Sequence, residues 1–190
     1  MKMKNYWFVN FLFSFLISLI TNLVFYLFGY FFMDNALFQS TGKDVLFVVL
    51  IGWILAQIGM STFFQVFLAS SRAANIIGYL LSIWTNLIGA TLSIAIYQFP
   101  RPLPLSLLWY PTFAFNRIFY LMFTECSADR CFTSLSNMST EAKHCILVLY
   151  ISFVVFQLLG MYLFEIIPQE YGTRQPMNFP IKYLMSKIRK

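Results

Sequence analysis

Four long stretches of this chain contain no Asp, Glu, Lys or Arg, and they constrain its fold more than any motif does. They run from Asn5 to Met33, Val45 to Ser71, Ala73 to Pro100 and His144 to Phe164. A bilayer core about 30 Å thick needs roughly 20 apolar helical residues, so each stretch is long enough to span. The stretches are continuously apolar, whereas a membrane barrel alternates along short strands. Composition removes the remaining classes. Hydrophobic residues make up 59% of the 190 residues and charged residues 11%, against about 25% charged in soluble domains. A soluble domain of this size could not hide so much apolar surface, and disorder needs low hydrophobicity. The predicted fold is all-α: a polytopic membrane protein with four transmembrane helices, at about 7–33, 45–68, 74–97 and 145–164, plus a re-entrant external helical hairpin. Lys2 and Lys4 precede the first stretch as in a signal peptide. That stretch is far longer than about 7–15 residues and has no A-x-A-like cleavage site, so it reads as a retained helix.

Lys and Arg set the expected orientation. With the N-terminus cytosolic, Lys2, Lys4, Arg72, Arg174, Lys182, Lys187, Arg189 and Lys190 lie inside. Lys43, Arg101, Arg117, Arg130 and Lys143 then lie outside, eight against five. Five of the seven acidic residues join the outside group and only Glu165 and Glu170 the inside one. The formal charge of +6 therefore resides on the cytosolic flanks, facing anionic lipid at about 1 kcal/mol per basic residue. Nucleic acid is not an expected partner, because no soluble module gathers the basic residues; membrane lipids are. On this reading residues 1–168 form the transmembrane domain and 169–190 a basic cytosolic tail.

Between the third and last helices the pattern breaks. Pro102, Pro104 and Pro111, with Arg117 near the middle, argue against a straight span. A helical hairpin at about 103–123 that enters and leaves on the outer side is expected instead. The polar loop at 125–143 holds Cys126 and Cys131, a C-x4-C pair, and Asn137-Met138-Ser139, an N-x-[ST] sequon. An external loop permits a disulfide and N-glycosylation at Asn137, although two free thiols fit the same spacing. Within the spans, Asn10, Ser14, Ser18 and Thr21 share one face of the first helix. Hydrogen-bonded packing against a neighbouring helix is the expected role, with a substrate-lining role as the alternative. Gly52-x-x-x-Ala56 suits close helix packing. The turn Ser70-Ser71-Arg72 closes a tight cytosolic hairpin between the second and third helices. No transporter-like inverted repeat is evident.

Catalytic chemistry is not visible. Ser40-Thr41-Gly42-Lys43-Asp44 fails the phosphate-loop pattern, which needs Gly at Leu37 and Ser or Thr at Asp44. His144 lacks a second His at metal-ligand spacing. No catalytic, cofactor-binding or metal-binding residue is assigned.

Several segments resemble a known family. Glu165-x-x-Pro168-x-x-Tyr171-Gly172-x-x-x-Pro176-x-x-Phe179 resembles the stretch that leads from the last transmembrane helix into the nucleotide-binding domain of A-subfamily ABC transporters, which export lipids. Asn5-Tyr6-Trp7 resembles the start of that family's third helix in a half, Ser71-Arg72-Ala73 the turn between its fourth and fifth, and Pro111-Thr112-Phe113-Ala114-Phe115 its external hairpin. The resemblance implies the last four helices of a six-helix half, part of an ATP-driven exporter of lipid or sterol. The partners it implies are a nucleotide-binding domain, absent from this chain and using ATP and Mg, and the rest of the transporter. The Ser70-Ser71-Arg72 turn would then couple to that domain, and the hairpin would lie near the lipid exit. The alternative is a free-standing four-helix membrane scaffold or interaction protein without transport activity.

Overall fold

A computed structural model describes residues 3–32, 36–67, 71–98 and 101–167. Ser70 and the predicted tail 169–190 lie outside the described residues. Among those described the chain is all-helical: α1 (Met3–Phe31), α2 (Ala36–Ser40), α3 (Lys43–Gln65), α4 (Ser71–Thr91), a π-helical turn (Leu92–Ile96), α5 (Leu105–Leu108), α6 (Pro111–Ser127) and α7 (Thr140–Ile166). Helices follow from the medium, since backbone N–H and C=O groups in hydrocarbon must pair within their own segment. Among the described residues four segments are long and apolar enough to cross a membrane: Trp7–Phe31, Lys43–Gln65, Ile76–Ile96 and Thr140–Ile166. The predicted fold class is borne out.

The core of the molecule is the parallel pair α3 and α7. Near their beginnings the Tyr150 hydroxyl donates to the Val48 carbonyl at 2.9 Å. Further along, Gly59 lies against the backbone of Phe153 and Gly160 against that of Thr62 and Phe63. A Cβ on either glycine would come within 2.9–3.0 Å of backbone atoms, so only glycine permits this approach. Helix α1 runs antiparallel along the pair. Trp7 packs on Phe164 at 5.1 Å between ring centroids, and Phe25 packs on Phe38 of α2 at 5.8 Å. Much of α1 stays exposed, with Phe8, Phe13, Ile20 and Phe28 among the uncovered side chains.

The two ends of the bundle differ. At the loop end, where α3 and α7 begin, the Gly42 amide donates to the Phe132 carbonyl at 2.9 Å. At the turn end α3 stops, with Val66 and Phe67 forming a turn. Helix α6 connects the loop end with the middle of the bundle. Near its C-terminus Cys126 Sγ lies 3.4 Å from Thr41 Oγ1, and near its start Phe115 stacks on Trp53 with centroids 4.2 Å apart. Trp53 is ten residues along α3 from Lys43, about 15 Å at 1.5 Å per residue. Leu103, before α5, is back at the beginning of α7, where its amide donates to Glu141 Oε1 at 3.1 Å. The chain thus goes in through α5 and returns through α6, as expected of a re-entrant hairpin.

Boundaries differ from the expected ones for local reasons. The last helix starts at Thr140 rather than 145, because Ser139 caps it: its Oγ accepts from the Ala142 amide at 3.3 Å, and Glu141 sits in the first turn, where a carboxylate suits the helix dipole. Helix α6 continues to Ser127 and narrows the loop to 128–139. Pro111 occupies the first turn of α6, where its missing N–H costs nothing. The five-residue α2 and the π-helical turn were not expected.

Candidate functional site

The polar face of α1 is not buried in a direct helix contact. Asn10, Ser14 and Ser18 line a cleft of about 360 Å³ with Gln57, Ser61 and Gln65 of α3 and Ser82 of α4. Gln57, Ser61 and Gln65 step by four, so they too share one helix face. No hydrogen bond joins the side chains of Asn10, Ser14, Ser18, Gln57, Ser61 or Gln65 to another described residue. Thr62 alone turns inward and donates to the Ile58 carbonyl at 2.8 Å. The cleft therefore presents amide and hydroxyl donors and acceptors in the turn-end half of the spanning helices. Among the described residues its lining holds no charged one. The expected interhelical hydrogen bonds from Asn10, Ser14 and Ser18 are not made among the described residues. Thr21, the fourth member of that face, bonds its own Ile17 carbonyl at 3.0 Å.

Two apolar spaces occupy the loop-end half. One, about 370 Å³, lies between α1 and α3 and is lined by Leu19, Leu23, Tyr26, Leu46, Leu50 and Ile54 among others. The other, also about 370 Å³, is aromatic, with Phe25, Phe38, Phe119 and Phe123 around Ser93 and Asn116. Ser93 is in the π-helical turn, 1% exposed, and its hydroxyl has no hydrogen-bond partner among the described residues.

Arg117 is the one cation with 0% exposure among the described residues, and its guanidinium ties four segments together. Nε donates to Glu141 Oε1 at 2.8 Å and one terminal nitrogen to Glu141 Oε2 at 3.2 Å. The same nitrogen reaches the Arg101 carbonyl at 2.7 Å, the other donates to the Tyr97 carbonyl, and the Tyr120 ring lies 5.3 Å away. Such a bidentate, charge-assisted arrangement is the strong form of the hydrogen bond. It pins the end of the π-helical turn, the strand of chain before α5, and the first turn of α7 onto α6. Arg117 was legible as a misfit in the hairpin. Its partner was not, because nothing local links it to Glu141.

The other predicted positions fall as follows. Cys126 and Cys131 form a disulfide with Cα atoms 4.2 Å apart, and the free Cys145 is buried in α7. Asp129, in the turn between the two bonded cysteines, has φ 56°, a left-handed conformation that Asp tolerates. Asn137 is exposed in the loop, with Nδ2 3.5 Å from Thr133 Oγ1. Ser71 and Arg72 occupy the first turn of α4 at the turn end. These positions do not converge: the disulfide and Asn137 belong to the loop end, Ser71 and Arg72 to the opposite one. Gln57 and Gln65 are the residues sequence reasoning missed, although their four-residue spacing with Ser61 was the available signal. Among the described residues no group of His, Cys, Asp and Glu could hold a metal ion.

Comparison with known proteins gives relatives of one kind. The chain is 31% identical to ABC transporter A family member 9 of Dictyostelium discoideum over 192 residues, 98% of this chain and 22% of that protein. It is 29% identical to member 7 of the same organism, over 97% of this chain and 22% of that protein. Member 6 is 25% identical over 85% of this chain and 10% of its own length. The chain thus spans about a fifth of the length of the first two curated relatives. No family model matches the chain, and no solved structure matches it. The expected resemblance, partial in extent, is borne out.

Proposed function

We propose, from this chain's homology to a segment of A-family ABC transporters, that it is a membrane-spanning portion of an ATP-driven exporter of lipid or sterol. The observation that carries the reading is the similarity to transporters over 98% of the chain. The four helices long and apolar enough to span support it. In this reading a nucleotide-binding domain outside this chain hydrolyses ATP with Mg. The Ser70-Ser71-Arg72 turn would deliver its movement to α3 and α4, with both termini cytosolic. The hairpin α5–α6 would lie at the opposite leaflet, where a lipid leaves, and the chain's own residues would guide the substrate rather than react with it.

The test is movement of a fluorescent phosphatidylcholine across liposomes holding the native polypeptide that contains this chain. Transfer between leaflets should require ATP and Mg and stop with vanadate. Transfer independent of ATP, or none from folded protein that hydrolyses ATP, would sink the reading and favour a scaffold role.

A further inference from the structure

We propose that the cleft between α1, α3 and α4 binds the polar head of a membrane amphiphile with no net charge, its apolar chain lying along the adjoining face of α3. The inference deepens the transport reading and rests on it for the fate of the bound lipid. The chemistry of the lining comes first. Amides of Asn10, Gln57 and Gln65 and hydroxyls of Ser14, Ser18 and Ser61 face the cleft unpaired among the described residues. In a span, polar groups without partners are costly, so the occupant must offer donors and acceptors of its own. Among the described residues that line it there is no Asp, Glu, Lys, Arg or His to offset a net charge, and an unpaired charge in such a place is far more costly than a neutral polar group.

Size and direction then narrow the occupant. A volume of about 360 Å³ falls in the range of small-ligand sites, roughly 300–1,000 Å³, whereas a spanning helix about 10 Å across could insert only its side chains. Read from the turn end, Gln65, Ser61, Gln57, Ile54, Leu50 and Phe47 follow steps of three or four and so share one face of α3. That face changes from polar in the cleft to apolar in the groove beside Leu19 and Leu23. A lipid in the turn-end leaflet has the same polarity along its length, head at the interface and chain toward the mid-plane. A covering helix would have no reason to reproduce that gradient.

The experiment uses the native polypeptide in phosphatidylcholine vesicles doped with phosphatidylcholine bearing a photoactivatable headgroup. Adducts are mapped by mass spectrometry. Labelling should concentrate on residues 10–18 and 57–65, and fall at least fivefold in Gln57→Leu/Ser61→Leu. Adducts on the exposed Phe31 should stay unchanged. Gln57→Met, which keeps the volume, serves if the double variant fails to fold and should lower the signal at least twofold. A phosphatidylserine probe should label the cleft at least fivefold less. Adducts spread evenly over exposed faces, equal labelling by the anionic probe, or a Ser61→Cys thiol that cross-links to another helix of the polypeptide would each overturn the site. ATP-driven transfer measured on the same vesicles separates the two readings. Transfer without cleft labelling removes the site and keeps the transporter, and cleft labelling without transfer does the reverse.

Discussion

Arg117 shows how one residue can hold a hairpin. Its cation is removed from solvent entirely, while Glu141 keeps 19% exposure, so losing either partner leaves the other charge stranded. Breaking a buried ion pair of this kind costs about 3–5 kcal/mol, whereas replacing both members by apolar residues is often neutral. We therefore expect Arg117→Met and Glu141→Met each to lower the unfolding midpoint in detergent strongly, and the double variant to recover much of the loss. A double variant as unstable as the sum of the two singles would show that the pair is not a unit. The sequence exposed the misfit at Arg117 as a lone charge in the apolar stretch that follows Pro111, but the pair joins residues 24 apart on different helices. No periodicity carries that information. The polar cleft was half legible: the α1 face stood out by spacing, while Gln57 and Gln65 went unremarked in a strongly apolar run.

At the scale of elements, α3 and α7 bind through missing side chains. Gly59 and Gly160 let the two backbones meet, and a Cβ at position 160 would stand 3.0 Å from Phe63 N and Thr62 C. Overpacking a contact of this type costs typically about 1–3 kcal/mol. Gly160→Val should accordingly lower the unfolding midpoint by several degrees, while Gly78→Val, at a site where a Cβ meets nothing within 4 Å, should have a much smaller effect. Equal losses at both sites would mean that the change reflects helix propensity rather than packing. The four long helices were readable because a bilayer forces unbroken apolar runs. The short α2 was not, since five residues carry too few turns to show a period, and its place is set by Leu37 and Phe38 packing into the core. The start of α7 was hidden by Glu141, Lys143 and His144, which look like loop until Ser139 is seen capping them.

The whole molecule has two chemically different ends, and the proposed orientation assigns them to opposite compartments. An impermeant thiol reagent applied to intact cells should fail to reach Arg72→Cys, and glycosidase should shift the native band unless Asn137→Gln is present. Labelling at position 72 from outside would reverse the orientation. The node at Arg117 also imposes an order in time. The ribosome delivers Arg117 ahead of Glu141 by 24 residues, so α6 is synthesised before the carboxylate that neutralises its cation exists. The hairpin can reach its final depth only after α7 has been threaded into the membrane. Helix α7, made after the hairpin, is thus the one that locks it, and the hairpin settles only once its successor has emerged.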